Sequence, residues 1–70
     1  AEIAEIVARE GALITTASLA DLKLPRDFTV GGVIRGDRGF FAEGRTQLLP
    51  GDHVVVFYSP GALSKVGRYF

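Results

Sequence analysis

The chain has 70 residues, no cysteine, and equal numbers of basic and acidic residues, eight of each. These values exclude a fold held by disulfides and leave no electrostatic footprint of a nucleic-acid-binding protein. Because 47% of the residues are hydrophobic, which is high for so small a domain, we expect a second copy or another domain to cover some apolar surface.

The sequence contains no pattern for membrane insertion or secretion. The longest uninterrupted apolar run, Val54 to Tyr58, is far shorter than a membrane span. The opening segment AEIAEIVARE carries acidic residues and no long apolar core, unlike a signal peptide. The lack of cysteine fits a cytoplasmic protein. Since the sequence begins on a strand-like segment without methionine, we expect residues 1–70 to form one domain of a longer chain.

The segment from Glu2 to Ala8 is rich in Ile and Val and predicts the first strand. Every second residue from Ala4 to Ala8 would then share one face. The apolar residues also have helical spacing, but Glu10-Gly11 interrupts that pattern soon afterwards, and we therefore favour the strand.

A short helix is predicted within ASLADLKLP. Ser18 is a suitable N-cap, and Leu19 and Leu22 fall on one helical face. Pro25 should end this helix, because the residue before a proline avoids the helical region.

A hairpin should follow, with Phe28 to Arg35 as its first arm and Phe40 to Glu43 as the return arm. The four residues from Gly36 to Gly39 supply the turn. Gly31-Gly32 inside the first arm indicates a bulge or the close approach of another backbone or a ligand.

Three arginines, Arg35, Arg38 and Arg45, cluster in sequence around this hairpin turn. Arginine forks bind phosphate well, so the hairpin tip is a candidate anion site. The alternative is a polar tip whose charges are simply solvated. The stretch GVIRGDRG has the wrong spacing for a dinucleotide-binding or P-loop motif and opens no helix.

The stretch LLPGDHVVVFY predicts a type II turn at Pro50-Gly51, followed by a strand. Val54 to Tyr58 runs on without alternation, which is typical of a strand covered on both faces. Asp52 and His53 could form a catalytic pair, but adjacent strand residues point to opposite faces. We therefore interpret Asp52 as a hydrogen-bond acceptor for the turn and His53 as the residue that opens the strand.

The final segment SPGALSKVGRYF predicts a helix, with Ser59 as N-cap and Pro60 at its first position. Leu63, Val66 and Phe70 form an apolar stripe. Apolar residues of the first strand and of this helix are either plain core or a partner interface. The order of strand, helix, hairpin, strand and helix predicts an α+β fold, a small sandwich with helices packed on a mostly antiparallel sheet.

In their order and spacing, these motifs resemble the TrkA C-terminal domain, also called the RCK C-terminal domain. The resemblance covers nearly the whole chain and rests on three stretches: AEIAEIVAREGALI, SLADLKLPRDFTVGGVIRGDRGF and LLPGDHVVVFYSPGALSKVGRYF. The last stretch is similar to the end of the regulatory proteins of Trk-type potassium uptake systems. In those proteins the domain follows a nucleotide-binding Rossmann domain.

The resemblance implies a non-catalytic regulatory domain on the cytoplasmic side of the membrane. Such domains pair as homodimers and, through the full-length protein, act on a membrane potassium transporter subunit. Some bind a small ligand such as cyclic di-AMP, and Ile34 and Arg35 occupy comparable places. With Arg38 they form our ligand-binding prediction. We expect no catalytic residue, no metal, no nucleic-acid partner and no membrane insertion. NAD or ATP would bind only a Rossmann domain, which these residues lack.

Three other hypotheses stay open. The domain could regulate another transporter, such as a cation/proton antiporter or a carboxylate permease. It could be a structural dimerisation module that binds no ligand. It could also be a small enzyme that uses His53.

Overall fold

A computed structural model describes all 70 residues. Its elements in chain order are β1 (Glu2–Val7), a 3-10 helix (Leu13–Thr15), α1 (Leu19–Leu22), β2 (Phe28–Arg35), β3 (Arg38–Phe41), β4 (His53–Tyr58) and α2 (Leu63–Tyr69). The predicted α+β class and the predicted order are confirmed. The 3-10 helix was not predicted.

The four strands form one sheet in the order β1-β4-β2-β3, and every neighbouring pair is antiparallel. The last strand of the chain therefore lies between the first strand and the hairpin. Val54 of β4 stands opposite Ile6 of β1 on one side and Val33 of β2 on the other. Residues that stand opposite one another share a face of the sheet, so this register defines two faces.

A bulge in β2 lies where the sequence predicts it. The register with β4 shifts between Val30 and Gly32, which leaves Gly31 as the extra residue. The shift lets Val30 and Val33 face the same side, although they are three residues apart. A Cβ on Gly31 would lie 2.3 Å from a ring carbon of Phe57, so the glycine allows that ring to lie close to the backbone of β2.

The core lies on one face of the sheet only. Ile14 from the 3-10 helix, Leu48 from the loop before β4 and Val66 from α2 pack against the valines of β2 and β4. These three side chains are fully buried. Burying one such side chain stabilises a fold by about 1.5–3 kcal/mol, so the helices and loops on this face hold the domain together.

Both helix boundaries differ from the prediction because of left-handed residues. Lys23 has φ 52° and ends α1 before Pro25 is reached. Ser18 does cap α1, and its Oγ accepts a hydrogen bond from the N–H of Asp21. At the other helix, Gly61 has φ 88°, so the segment around Ser59 is a turn and α2 begins only at Leu63.

The hairpin turn is tighter than predicted. It has two residues, Gly36-Asp37, and the return strand is Arg38–Phe41. Gly36 has φ 63°, as the first central position of a type II′ turn requires. Because the return strand begins earlier, Arg38 stands directly opposite Arg35 in the register.

Two predictions about apolar coverage are wrong. Val54 and Val56 are fully buried, but Phe57 on the other face of β4 is exposed. No element of the chain covers that face, so β4 is central in the sheet yet covered on one side only. In α2, Val66 and Phe70 are buried as predicted, whereas Leu63 is exposed.

Candidate ligand recess and pairing surface

Arg35 at the end of β2 binds Asp52 through a two-pronged ion pair. Its Nε donates to Asp52 Oδ1 at 2.8 Å and its Nη2 donates to Oδ2 at 2.7 Å. The N–H of Leu49 donates to the same carboxylate at 2.8 Å, because the turn at Pro50-Gly51 folds the chain back on itself. Asp52 is therefore the acceptor for the turn, as predicted, and also an anchor for Arg35.

The charges of this pair stabilise one another. Hydrogen bonds from Arg35 hold the pKa of Asp52 below its usual value, and the N–H of Leu49 acts in the same direction, while burial opposes them. Hydrogen bonding to Asp52 raises the pKa of Arg35. Both groups are charged near neutral pH, so the pair is a brace between β2 and the loop rather than a proton-transfer site.

Beside this brace lies a small cavity of about 190 Å³, the arginine recess, lined by Arg35, Arg38 and Phe40. The guanidinium carbon of Arg35 lies 5.2 Å from the centre of the Phe40 ring, a cation–π distance. No acidic side chain lies within ion-pair distance of Arg38. The recess therefore combines one unpaired guanidinium with an aromatic ring.

The structure brings together two of the three predicted ligand-binding residues. Arg35 and Arg38 line the same recess, on the side of the sheet that carries the core. Ile34 stands opposite His53 and points to the other side. A ligand held in the recess of one chain contacts the arginines and not Ile34.

The other side of the sheet carries no helix and is exposed. We call it the outer sheet face, and it is formed by alternate residues of all four strands: Ile3, Glu5, Val7, Thr29, Gly32, Ile34, Gly39, Phe41, His53, Val55 and Phe57. Phe41 is 91% exposed and Ile3 is 65% exposed. Exposed apolar surface on the first strand is confirmed. The other exposed large apolar side chains are Ile34, Phe41 and Phe57 on the remaining strands, Leu13 and Leu49 outside the sheet, and Leu63 on the last helix.

One polar pair lies within the outer sheet face. Nδ1 of His53 is 2.9 Å from Oε2 of Glu5. Asp52, the neighbour of His53 in sequence, faces the other side and binds Arg35. Asp52 and His53 therefore do not act as a pair, and His53 opens β4 as predicted.

The family model for the TrkA-C domain matches residues 3–70. The chain belongs to the TrkA-C domain family. A search of curated proteins found no match to it.

Membership of the TrkA-C family indicates the kind of role that this domain has. The family is regulatory rather than catalytic, and its domains are typical of the regulatory parts of potassium transport systems. None of the helices is long and apolar enough to cross a membrane. The chemistry of this TrkA-C domain is thus expected on its surfaces, where ligands and partners bind.

The sequence missed two features of this TrkA-C domain. The ion pair between Arg35 and Asp52 joins residues 17 positions apart, and no local pattern connects them. A broader hollow of about 600 Å³ lies between α1 and β2, with Leu19, Leu24 and Phe28 among its lining residues. It is formed where the loop after α1 meets the loop after β3, and the sequence shows no signal for such a meeting.

Proposed function

We propose that this TrkA-C domain is the ligand-sensing and pairing part of a potassium transport regulator. It acts on the cytoplasmic side of the membrane, and the full-length protein contacts a potassium transporter subunit there. The family match supports the regulatory role. The observation that carries the ligand-sensing role is the arginine recess, where unpaired Arg38 lies beside Phe40.

The chemistry of the recess fits a phosphate that carries an aromatic base. A guanidinium fork binds phosphate oxygens with two parallel hydrogen bonds, and an aromatic ring offers a stacking surface. Arg35 keeps its position because Asp52 holds it, which leaves Arg38 as the group that reaches the ligand. A cyclic dinucleotide supplies both kinds of group and is the ligand that we propose.

The size of the recess indicates that one chain holds only part of such a ligand. Pockets for small molecules usually enclose about 300–1,000 Å³, whereas the arginine recess encloses about 190 Å³. The remainder of the ligand would contact groups outside this domain. Binding therefore changes how this domain is arranged relative to its neighbours, and that population shift moves the attached domains and biases the transporter.

Calorimetry tests this proposal directly. We expect heat of binding with cyclic di-AMP and none with NAD or ATP, because those ligands need a Rossmann domain. Arg38→Ala should weaken the binding at least tenfold, since a charge-assisted bidentate contact is lost. Arg45→Ala is the matched control, because Arg45 is an exposed arginine paired with Glu43 outside the recess. Equal binding by both variants, or heat with ATP alone, would contradict the proposal.

A second candidate is a structural pairing module that binds no ligand. The observation that favours it is that Asp52 already occupies the fork of Arg35, which leaves Arg38 as the only unpaired arginine in the recess. Absence of heat with every nucleotide, together with a stable dimer, would establish this alternative.

The reading frame around the domain tests which transporter it regulates. An upstream Rossmann region supports potassium uptake, and membrane spans support an antiporter or permease.

A further inference from the structure

The hollow of about 600 Å³ between α1 and β2 borders a bare edge of the sheet. β4 pairs with β2 from Phe28 to Ile34, whereas β3 pairs with β2 only from Gly32 onward. The bulge at Gly31 separates the two parts of β2, and bulges commonly end the pairing of strands. The residues from Phe28 to Val30 therefore have a strand on one side and the hollow on the other.

The register shows which backbone groups of β2 face the hollow. The N–H of Ser59 donates to the carbonyl of Asp27 at 2.9 Å, and Thr29 lies two residues further along the chain. In an antiparallel pair, alternate residues direct both of their backbone groups at the partner strand. Thr29 is therefore bonded to β4, and Phe28 and Val30 direct their N–H and C=O groups towards the hollow.

These backbone groups of Phe28 and Val30 have no partner within the chain. β3 does not reach them, and no loop backbone or side chain bonds to them. Each residue offers one donor and one acceptor. An unpaired sheet edge is a template for another extended chain, and adding a strand to such an edge is a common way to bind a peptide.

The opposite wall of the hollow is held in place by α1. The loop after β3 turns away from β2, and its carbonyls accept hydrogen bonds from the start of the helix. The N–H of Leu19 donates to Thr46 at 3.0 Å, and the N–H of Ala20 donates to Gly44 at 2.8 Å. A helix start otherwise leaves such groups without partners. The loop is therefore bound to α1 and leaves the edge of β2 open.

The hollow has the size and the lining of a binding site. Its volume lies within the range of about 300–1,000 Å³ that is usual for ligand pockets. Leu19, Leu24 and Ala42 are half-buried residues of its lining. The side chains of Phe28 and Val30 face the core. A residue added opposite either of them would lie on the same side of the sheet, beside these apolar walls, so alternate residues of the occupant should be apolar.

The charges around the hollow favour an acidic occupant. Glu43 is paired with Arg45 at 3.1 Å, and Asp27 is paired with Lys65 at 2.8 Å. Arg26, which also lines the hollow, takes part in no ion pair. Its guanidinium is therefore available to a carboxylate of the occupant.

We propose that the hollow binds an extended segment of a partner protein as an added strand beside Phe28 to Val30. The segment runs antiparallel to β2, as do both neighbouring strands. It carries apolar residues at alternate positions, and an acidic residue follows them, because Arg26 precedes β2 in the chain. The hollow shares no lining residue with the arginine recess, so this site goes beyond the proposed function.

NMR of the 15N-labelled 70-residue chain with the peptide acetyl-GTVTVTEE-amide tests the proposal. In the free chain, the amides of Phe28 and Val30 should exchange hydrogen at least about tenfold faster than that of Thr29, which is bonded to β4. At saturating peptide, exchange at Phe28 and Val30 should slow at least about tenfold. Exchange at Thr29 should remain slow throughout.

Two matched comparisons separate the backbone bonds from the charge. The same peptide with both valine nitrogens methylated should not bind, because those N–H groups face β2 while the side chains are unchanged. Arg26→Ala should weaken binding by about two- to fivefold, the scale of an exposed ion pair. Arg68→Ala removes the same charge from α2, outside the hollow, and should leave binding unchanged. Thermal unfolding checks that both variants are folded.

The outcomes that overturn the proposal are equally definite. Slow exchange at Phe28 and Val30 in the free chain shows that their backbone groups are already paired. Unchanged amides at millimolar peptide, or equal binding of the methylated peptide, show that no strand is added. Equal effects of Arg26→Ala and Arg68→Ala refute the charge recognition. Because no nucleotide is present, these results are independent of the calorimetry, and either proposal can fail alone.

Discussion

The two faces of the sheet carry similar apolar residues but have opposite environments. On the core face, Val54 and Val56 of β4 are fully buried beneath the helices and loops. On the outer sheet face, Phe57 of the same strand and Phe41 of β3 are exposed. The difference shows that coverage, and not residue type, separates the side chains that fold this domain from those that remain free to bind.

The polar pairs on the two faces differ in the same way. On the core side, Arg35 and Asp52 make two short hydrogen bonds, and Asp52 is 2% exposed. On the outer sheet face, Glu5 and His53 make a single contact, and both side chains are about half exposed. A buried fork is a fixed structural element, whereas an exposed single contact contributes little to stability. The core face thus supplies stability, and the outer sheet face leaves its apolar and polar side chains exposed.

The largest difference between the faces should appear when matched isoleucines are shortened. Ile14→Ala removes a fully buried side chain and leaves a cavity, so we expect a loss of about 2–5 kcal/mol in the free energy of unfolding. Ile3→Ala on the outer sheet face should change it by no more than about 0.5 kcal/mol. Urea denaturation at low protein concentration measures both values without a contribution from pairing. Equal losses would refute the distinction between the faces.

A smaller effect is expected from Asp52→Asn, which removes the charged partner of Arg35. We expect a loss of about 1.5–3 kcal/mol in unfolding free energy at pH 7, the scale of hydrogen bonds to charged groups. His53→Gln should lower the unfolding free energy by less than about 0.5 kcal/mol, because the Glu5–His53 pair is exposed. Urea denaturation of both variants beside the unchanged chain provides the comparison.

Asp52→Asn and the unchanged chain should also differ in how their unfolding free energies depend on pH. The pKa of Asp52 is lower in the folded chain than in the unfolded chain, so ionisation favours folding. Its contribution is complete above the ordinary aspartate pKa of about 3.9 and is lost as the pH falls through the lower folded-state value. The gap between Asp52→Asn and the unchanged chain should therefore shrink between pH 5 and pH 2. A constant gap would show that the ion pair contributes no such linkage.

The smallest expected effects on stability come from replacing two glycines by alanine. A Cβ on Gly31 would lie 2.3 Å from the Phe57 ring, so Gly31→Ala should displace that exposed ring and cost about 1 kcal/mol. Gly67→Ala meets no atom within 4 Å and should stabilise α2 by about 1 kcal/mol, because alanine is the better helix former. Thermal unfolding shows whether each substitution raises or lowers stability, and the NMR chemical shifts of Phe57 show whether its ring is displaced. A stabilising Gly31→Ala would contradict the packing described for β2 and β4.

Local features of the fold were largely predictable from the sequence. The bounds of β2, the bulge at Gly31-Gly32 and the cap at Ser18 follow from patterns spanning a few residues. The start of α2 was misplaced because Ser59-Pro60 has the composition of a helix start, while the positive φ of Gly61 makes it a turn. A glycine tolerates both conformations, so its sequence does not show which one it adopts.

Features that depend on distant residues could not be predicted. The apolar run Val54 to Tyr58 indicated coverage on both faces, and the chain covers only one. Likewise, the hairpin arginines were recognised as candidate ligand groups, but the sequence did not show that Asp52 holds Arg35 or that Ile34 faces the other side. Strand order and register decide these points, and both arise from the whole fold.

The proposal that the core face folds the domain while the outer sheet face pairs with a second copy is tested most directly by isotope-filtered NMR. A mixture of labelled and unlabelled chains at millimolar concentration reports only contacts between copies. The account predicts such contacts at Phe41, Ile34 and Phe57 of the outer sheet face, and none at Leu63 of α2. Contacts between copies centred on α2, or no contacts between copies at all, would contradict it.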